Sequence, residues 1–201
     1  LFGLLLLIIG YVFFPIIDSF PPTILIDNTP PTIGIVSPEE GVVLHEVITV
    51  EAYASDPSGI EKVEFEVGAI STVMDFRNDT DHWAGRLDTR KLSDGMNSIK
   101  VKAVDKAGNT AEKIVSVTVD NTPPVITIIS PRMKTYSTDP INLIYTVNEP
   151  ASWVGYSLKK VGRVSSSSEE KITLTDNTTL TNLSIGLHDL VIYANDTVGN
   201  M

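Results

Sequence analysis

The sequence predicts an all-β protein in which two tandem β-sandwiches follow an apolar N-terminal helix. Three features of the 201 residues support this fold class. One motif recurs at a spacing of 93 residues, the segments between its copies alternate apolar and polar side chains, and the first 17 residues carry no charge. A repeat near this length, combined with a period of two, indicates two copies of one β-domain.

The repeat is anchored at both ends of the unit. Residues 27–33 (DNTPPTI) return as residues 120–126 (DNTPPVI). Near the end of each unit, residues 103–109 (AVDKAGN) match residues 194–200 (ANDTVGN). Each Pro-Pro pair fixes backbone dihedrals and extends the chain, so it limits bending between domains. The predicted organisation is a hydrophobic segment over 1–20, an extended linker strand over 21–29, a first domain over 30–121 and a second domain over 122–201.

The segments between the anchors have the pattern of half-buried antiparallel strands. Val63, Phe65 and Val67 fall on one face of their segment, and charged residues occupy the other face. Turn residues separate such segments, as in Asp-Pro-Ser-Gly at 56–59. About seven short strands per domain, with frequent turns, are the signature of an immunoglobulin-like β-sandwich.

The apolar segment over 1–20 predicts a transmembrane anchor. The first basic residue is Lys62, so the basic stretch that opens a secretory signal is missing, and we expect the native chain to extend upstream. Tyr11, Phe13 and Phe14 suit the aromatic belt of a membrane interface. The alternative is that these helices pack together at the centre of a filament, as pilin helices do.

Composition argues against several classes of function. The chain has 15 Lys and Arg against 25 Asp and Glu, a net charge of −10, which disfavours a nucleic-acid partner. It has no cysteine, which excludes a disulfide framework, a zinc-thiolate site and a cysteine nucleophile. Its three histidines are scattered, and no catalytic motif stands out. We therefore expect a protein that is not an enzyme.

The second unit contains four distinctive segments, residues 148–158 (NEPASWVGYSL), 177–180 (NTTL), 186–188 (GLH) and 193–200 (YANDTVGN). Together they resemble a repeat module common in archaeal cell-surface and S-layer-associated proteins. The first unit is similar to a related bacterial and archaeal immunoglobulin-like module, through residues 56–60 (DPSGI) and 105–109 (DKAGN). The resemblance implies a secreted, non-enzymatic surface protein.

Individual residues suggest modification and packing roles. Four Asn-x-Ser/Thr sequons are glycosylation candidates: Asn78, Asn177, Asn182 and Asn195. Three of the four lie in the second unit, which predicts a sugar-coated, outward-facing domain. We expect Trp153 and Tyr156 to fill the core of the second sandwich, because one buried aromatic side chain covers a large apolar area. A sugar-stacking role for Trp153 would require exposure.

Four carboxylates fall in turns and at domain junctions: Asp27, Asp56, Asp105 and Asp120. One interpretation is calcium at the junctions, as in cadherin-like rods. Asx and Asp-Gly turns account for each residue without a metal, so we expect no cofactor.

The second unit stops at the turn after which the first unit continues into its last strand. Aligning Asp27 with Asp120 places Ile24 on Val117 and Ile26 on Val119. The native chain could continue beyond residue 201 and supply its own strand. Alternatively, the segment 23–27 of one subunit could complete the second sandwich of the next subunit. The assembly residues would then be Thr23, Ile24, Leu25 and Ile26.

The sequence thus predicts a cell-surface structural protein, an immunoglobulin-like rod that is membrane-anchored or surface-assembled and that spaces or anchors. The predicted partners are the membrane or other copies, through residues 1–20, and other surface-layer proteins. One alternative is a pilus-like filament subunit that assembles head-to-tail by donor-strand exchange. Another is an adhesin or an accessory binding module of a larger surface protein.

Overall fold

The structure is a computed structural model that describes residues 26–162 and 170–201. Strands dominate these residues, and the helical element among them is one 3-10 turn, Thr89–Lys91. The all-β prediction is therefore confirmed. The helix predicted over 1–20 lies outside the described residues. Within the described ranges, no helix has the length and apolar character needed to cross a membrane.

Residues 32–119 form the first sandwich. Its strands are β1 (Thr32–Ser37), β2 (Val43–Leu44), β3 (Val47–Ser55), β4 (Ile60–Val67), β5 (Ile70–Val73), β6 (Asp75–Arg77), β7 (His82–Asp88), β8 (Gly95–Asp105) and β9 (Thr110–Val119). One sheet has the order β1-β3-β7-β6, and the other has the order β2-β9-β8-β4-β5. Neighbouring strands are antiparallel, except that β2 runs parallel to β9.

The core of the first sandwich lies between its two sheets. Val50 and Leu87 come from one sheet, and Val63, Phe65 and Val101 come from the other; each is at most 1 % exposed. The period-two pattern of the sequence produces this core, because alternate side chains of a strand point to the same face.

Residues 126–196 contain the second sandwich. Its strands are β10 (Ile126–Ser130), β11 (Ile141–Val147), β12 (Ala151–Lys160), β13 (Ile172–Leu174), β14 (Thr178–Leu180) and β15 (His188–Asp196). The sheets have the orders β10-β11-β14 and β13-β12-β15. Leu143, Leu174 and Leu180 are buried at the centre, and Tyr156 packs against them.

Strands β12 and β15 of the second sandwich correspond to β4 and β8 of the first. The pair Glu64–Lys102 joins β4 to β8, and the pair Gly155–Tyr193 joins β12 to β15 at equivalent places. In the first sandwich β8 is flanked by β4 and β9. In the second sandwich, the described residues provide no strand at the place of β9.

Candidate functional site

The linker after the first sandwich is hydrogen-bonded to that sandwich. Asn121 Oδ1 accepts from the backbone N–H of Glu46 at 2.8 Å and from Thr89 Oγ1 at 3.2 Å. The Asn121 backbone N–H donates to Asp94 Oδ1 at 2.9 Å, and the Thr122 hydroxyl donates to the other oxygen of Asp94. Three separate segments of the first sandwich therefore hold two consecutive linker residues.

The same linker is also bound by the second sandwich. The side-chain amide of Asn200 donates to the carbonyl oxygen of Asp120 at 3.0 Å and to Asp196 Oδ2 at 2.7 Å. Asp196 Oδ1 accepts from three backbone N–H groups, those of Val198, Gly199 and Asn200, at 2.7–2.9 Å. Because Asp196 is only 1 % exposed, these bonds fix the turn that grips the linker.

The hydrogen bonds also set the charge of this turn. Burial alone would raise the pKa of Asp196, since it disfavours the charged form. The donors on Asn200, Gly199 and Val198 outweigh burial and hold the pKa below its usual value of 3.8. The turn therefore contains a carboxylate near neutral pH.

The first sandwich forms equivalent hydrogen bonds to the segment that precedes it. Asn109 Nδ2 donates to the carbonyl oxygen of Asp27 at 3.1 Å and to Asp105 Oδ2 at 2.9 Å. Asp105 Oδ1 accepts from the backbone N–H groups of Ala107 and Asn109, both at 2.8 Å. The recurring Asp-x-x-Gly-Asn turn is thus a clamp, which we call the Asn clamp, on the residue that opens each domain.

Each Asn clamp brings three carboxylates together. Asp27, Asp56 and Asp105 form one group, in which one oxygen of each lies within 4.8 Å of the others. The four aspartates that the sequence singled out therefore do not form one site, because Asp120 belongs to a second group, with Glu149 and Asp196. Sequence reasoning missed those two partners, although Glu149-Pro150 repeats Asp56-Pro57 at the spacing of the first anchor.

Carboxylate groups of this kind offer oxygen ligands, the type that Ca²⁺ takes. Hydrogen bonds already account for much of their placement. Asp27 Oδ1 accepts from the Thr29 N–H at 2.9 Å, and Asp56 Oδ1 accepts from the N–H and the hydroxyl of Ser58 at 2.8 and 2.7 Å. The Thr29 backbone bond, followed by a bond from Ser58, lowers the pKa of Asp27. These bonds fix the turns that hold Asp27 and Asp56, and the expectation that no cofactor binds stays a prediction.

The prediction that Trp153 fills the core is wrong. Val154, Tyr156 and Leu158 are the β12 residues that face the core, so by alternation Trp153 lies on the outer face of the sheet. Its indole Nε1 donates to Thr173 Oγ1 of β13 at 3.1 Å. Tyr156 packs against the core as expected.

This outer face differs sharply between the two sandwiches. On the first it is charged: the Lys62 ammonium lies 2.9 Å from Glu64, and the Lys100 ammonium lies 2.7 Å from Glu66. The equivalent positions on β12 and β15 carry no charge, namely Trp153, Gly155, Ser157, Val191, Tyr193 and Asn195. We call these six positions the neutral face; the Lys171 ammonium, which is not one of them, lies 4.2 Å from the centre of the Tyr193 ring.

The four sequons lie in different environments. Asn78, Asn177 and Asn182 are exposed, and Asn182 has a left-handed backbone at φ 59°. Asn195 is half-buried on β15, opposite Trp153, and its Oδ1 atom is buried. Of the assembly candidates, Thr23, Ile24 and Leu25 lie outside the described residues, and Ile26 is 78 % exposed.

Two family matches agree with this fold. Residues 31–101 match a family described as a bacterial Ig domain. Residues 81–151 match a bacterial Ig-like domain of group 3, and that match crosses the linker between the two sandwiches. No curated protein sequence matches the chain. The archaeal and S-layer association stays a prediction.

Several solved structures are similar to this chain at low sequence identity. A mannanase from Thermotoga petrophila is 20 % identical over 48 % of this chain and 21 % of its own, with a TM-score of 0.43. Fibronectin(III)-like modules of Clostridium thermocellum CbhA are 19 % identical over 84 % of this chain and 88 % of theirs, with a TM-score of 0.39. A 1.5-MDa bacterial ice-binding adhesin is 12 % identical over 87 % of this chain and 62 % of the compared chain, with a TM-score of 0.47.

The chain spans about a fifth of the mannanase chain and less than two thirds of the adhesin chain. Repeat modules of the two matched kinds are typical of cell-surface proteins and adhesins. The fold and the two family matches, each over about a third of the chain, are similar to those of tandem bacterial immunoglobulin-like domains.

Proposed function

We propose that this protein is a structural element of a cell surface, a stiff spacer with a mechanical rather than a catalytic role. The observation that carries the proposal is the double attachment of the linker. Asn121 is hydrogen-bonded to the first sandwich, and Asp120 is bound by Asn200 of the second. A linker bonded on both sides, and followed by Pro123-Pro124, restricts bending between the domains.

Distance measurements between two spin labels test the stiffness. The chain has no cysteine, so labels can be placed at Ser71→Cys and Thr175→Cys, one exposed site in each sandwich. We expect one narrow distance distribution by pulsed electron paramagnetic resonance. Replacing Asn121 by Ala should broaden it, because the bonds to Glu46 and Thr89 are lost.

The repeat supplies a matched control. Asn28 stands at the place of Asn121 but is exposed, ahead of the first sandwich. Asn28→Ala should leave the distribution unchanged. A broad distribution in the unmodified protein would contradict the stiff-spacer proposal.

In the same proposal, residues 1–20 hold the rod at the membrane. Its support is the sequence, since no charged residue occurs before Asp18. A segment of this composition partitions into hydrocarbon.

A second candidate function is a binding module, and the neutral face favours it. Trp153 and Tyr193 flank Gly155, and the exposed hydroxyl of Thr173 lies beside them. The Lys171 ammonium lies 4.2 Å from the centre of the Tyr193 ring, so the Trp153 ring is the uncharged part of the surface. Aromatic rings combined with hydroxyl groups suit an uncharged ligand that has both apolar and hydrogen-bonding faces, such as a neutral glycan.

Retention on immobilised neutral polysaccharides tests the binding module. Trp153→Lys combined with Tyr193→Lys restores the residue types of the first sandwich and should abolish retention. The control is Tyr53→Ala, which removes an exposed aromatic residue from the first sandwich. Equal retention of all three proteins, or none for the unmodified chain, would remove this candidate.

A further inference from the structure

The hairpin of β6 and β7 holds an aromatic side chain that the first sandwich leaves partly uncovered. Phe76 pairs with Trp83, and Trp83 pairs with Ala52, which is 0 % exposed in the core. The Phe76 ring therefore belongs to the inner face of its sheet, because paired residues of neighbouring strands point to the same side. It packs against the Trp83 ring at 5.2 Å between centroids, yet Phe76 is 44 % exposed, since β6 is the edge strand of the sheet.

The turn of this hairpin carries a sequon next to the exposed ring. β6 ends at Arg77, and residues 78–81 form the turn. Asn78 and Thr80, which define the sequon, are both exposed. Asn78 stands two positions after Phe76, and side chains at this spacing point to the same side of a strand, roughly 7 Å apart along the chain. Alternation carried one residue past β6 thus places the Asn78 side chain on the side of the Phe76 ring.

The chemistry of an attached sugar suits this ring. An N-linked glycan begins with a pyranose ring on the side-chain amide nitrogen of the asparagine. Besides its hydroxyl groups, a pyranose has a face lined by C–H groups, and packing that face on an aromatic ring removes apolar area of both from water. We propose that Asn78 carries a glycan whose first sugar packs on the exposed side of the Phe76 ring, and that this contact stabilises the first sandwich.

The other three sequons do not combine an exposed asparagine with an exposed aromatic residue. The residues two positions before their asparagines are Thr175, Leu180 and Tyr193. Thr175 has no ring, and Leu180 is 3 % exposed. Tyr193 precedes Asn195, which is half-buried on β15 with its Oδ1 atom buried. The combination at Asn78 is therefore particular to the hairpin of the first sandwich.

The test compares the full chain with and without the first sugar on Asn78. The other sequons are removed, with their asparagines kept, by Thr179→Ala, Ser184→Ala and Thr197→Ala. Trp153→Phe leaves Trp83, the neighbour of Phe76, as the one tryptophan, so that fluorescence follows unfolding of the first sandwich. One sample comes from a host that attaches N-acetylglucosamine-linked glycans and is trimmed to the first sugar by an endoglycosidase. The other sample comes from a host without N-glycosylation.

We expect the sugar to raise the thermal midpoint of the first sandwich by about 4 °C, the shift that one contact of an aromatic ring gives in a domain of this size. Phe76→Ala in both samples should remove the difference, because the sugar then has no ring to pack on. Val73→Ala is the matched control, since it shortens an exposed apolar side chain of β5 and should keep the difference. Thr80→Ala abolishes the sequon and should make the two samples identical.

Proton chemical shifts provide a second measurement, which does not depend on stability. The ring current of Phe76 should shift the C–H protons of the first sugar upfield. Phe76→Leu, which keeps an apolar side chain at the edge of the sheet, should return them to the values of a free glycan.

Three outcomes would overturn the proposal. They are an Asn78 peptide without a glycan in protein from the native source, an equal midpoint difference with and without Phe76, and sugar protons that Phe76 does not shift. None of these measurements depends on the stiffness of the linker, so this inference and the proposed structural role stand or fail separately.

Discussion

The indole of Trp153 lies over Gly155 so closely that a Cβ atom at position 155 would sit 2.3 Å from Cζ2 of the ring. The two residues stand two apart on β12 and share its outer face. Glycine is required here by the neighbouring ring rather than by the backbone, because Glu64 occupies the same place in the first sandwich.

Replacing Gly155 by Ala should therefore destabilise the second sandwich by about 1–3 kcal/mol, the usual cost of overpacking a closed contact. Chemical denaturation followed by fluorescence measures this loss. Trp153→Lys should relieve most of it, leaving only the 3.0 Å approach to the Ile172 carbonyl oxygen. Equal destabilisation of Gly155→Ala in both backgrounds would show that the ring is not the cause.

The asparagine residues of the four sequons differ in their exposure to solvent. In protein from its native source, we expect glycans on some of Asn78, Asn177 and Asn182, and none on Asn195. Asn195 lies on β15 with its Oδ1 atom buried, so an attached sugar would have to displace the packing around Trp153. Mass spectrometry of the four peptides decides this, and the same peptides from a host without N-glycosylation are the control. A glycan found on Asn195 would contradict the expectation.

The Asn clamp of the second sandwich predicts a dependence of stability on pH. A carboxyl group whose pKa is lowered by folding stabilises the fold above its unfolded pKa, and that contribution is lost as the pH falls through the folded pKa. For Asp196 the loss begins below about pH 4. The midpoint temperature for thermal unfolding of the second sandwich should therefore decrease as the pH is lowered below about 4.

Asn200→Ala provides the matched test of the clamp, since it removes the side-chain donor to Asp196 and to the linker. It should lower the midpoint at pH 7 and weaken its dependence on acid. Asn182→Ala, at an exposed turn, should change neither. Identical pH profiles for all three proteins would show that the clamp does not contribute to stability.

The proposed anchor makes a simple prediction. The chain shortened by residues 1–20 should remain in aqueous buffer, whereas the full chain should partition into the detergent phase. Phase separation followed by gel analysis measures this. The same partitioning for both chains would exclude an anchoring role for the segment.

Local patterns predicted much of the fold. The alternation of apolar and polar side chains placed Val63, Phe65 and Val67 in the core, because a strand with one solvent-exposed face buries its apolar face. The order of the strands within each sheet was not predictable, since pairs such as β1 with β3 depend on contacts distant in sequence.

The sequence itself contained a reason not to place Trp153 in the core. Trp153 and Tyr156 stand three positions apart, an odd offset, so a regular strand places them on opposite faces. The size of the indole suggested burial, whereas the odd offset from Tyr156 indicated the outer face of the sheet. Glu149 and Asp196 were also detectable, because the repeat carries each carboxylate of the first group onto the second.

The first and last strands of the first sandwich, β1 and β9, determine how that domain responds to a pulling force. Tension between Asp27 and Asp120 pulls both strands along their own length. Their ladder hydrogen bonds, to β3 and to β8, run across that direction, so they are sheared together instead of opening one by one. A domain sheared in this way withstands tension up to a threshold and then unfolds abruptly.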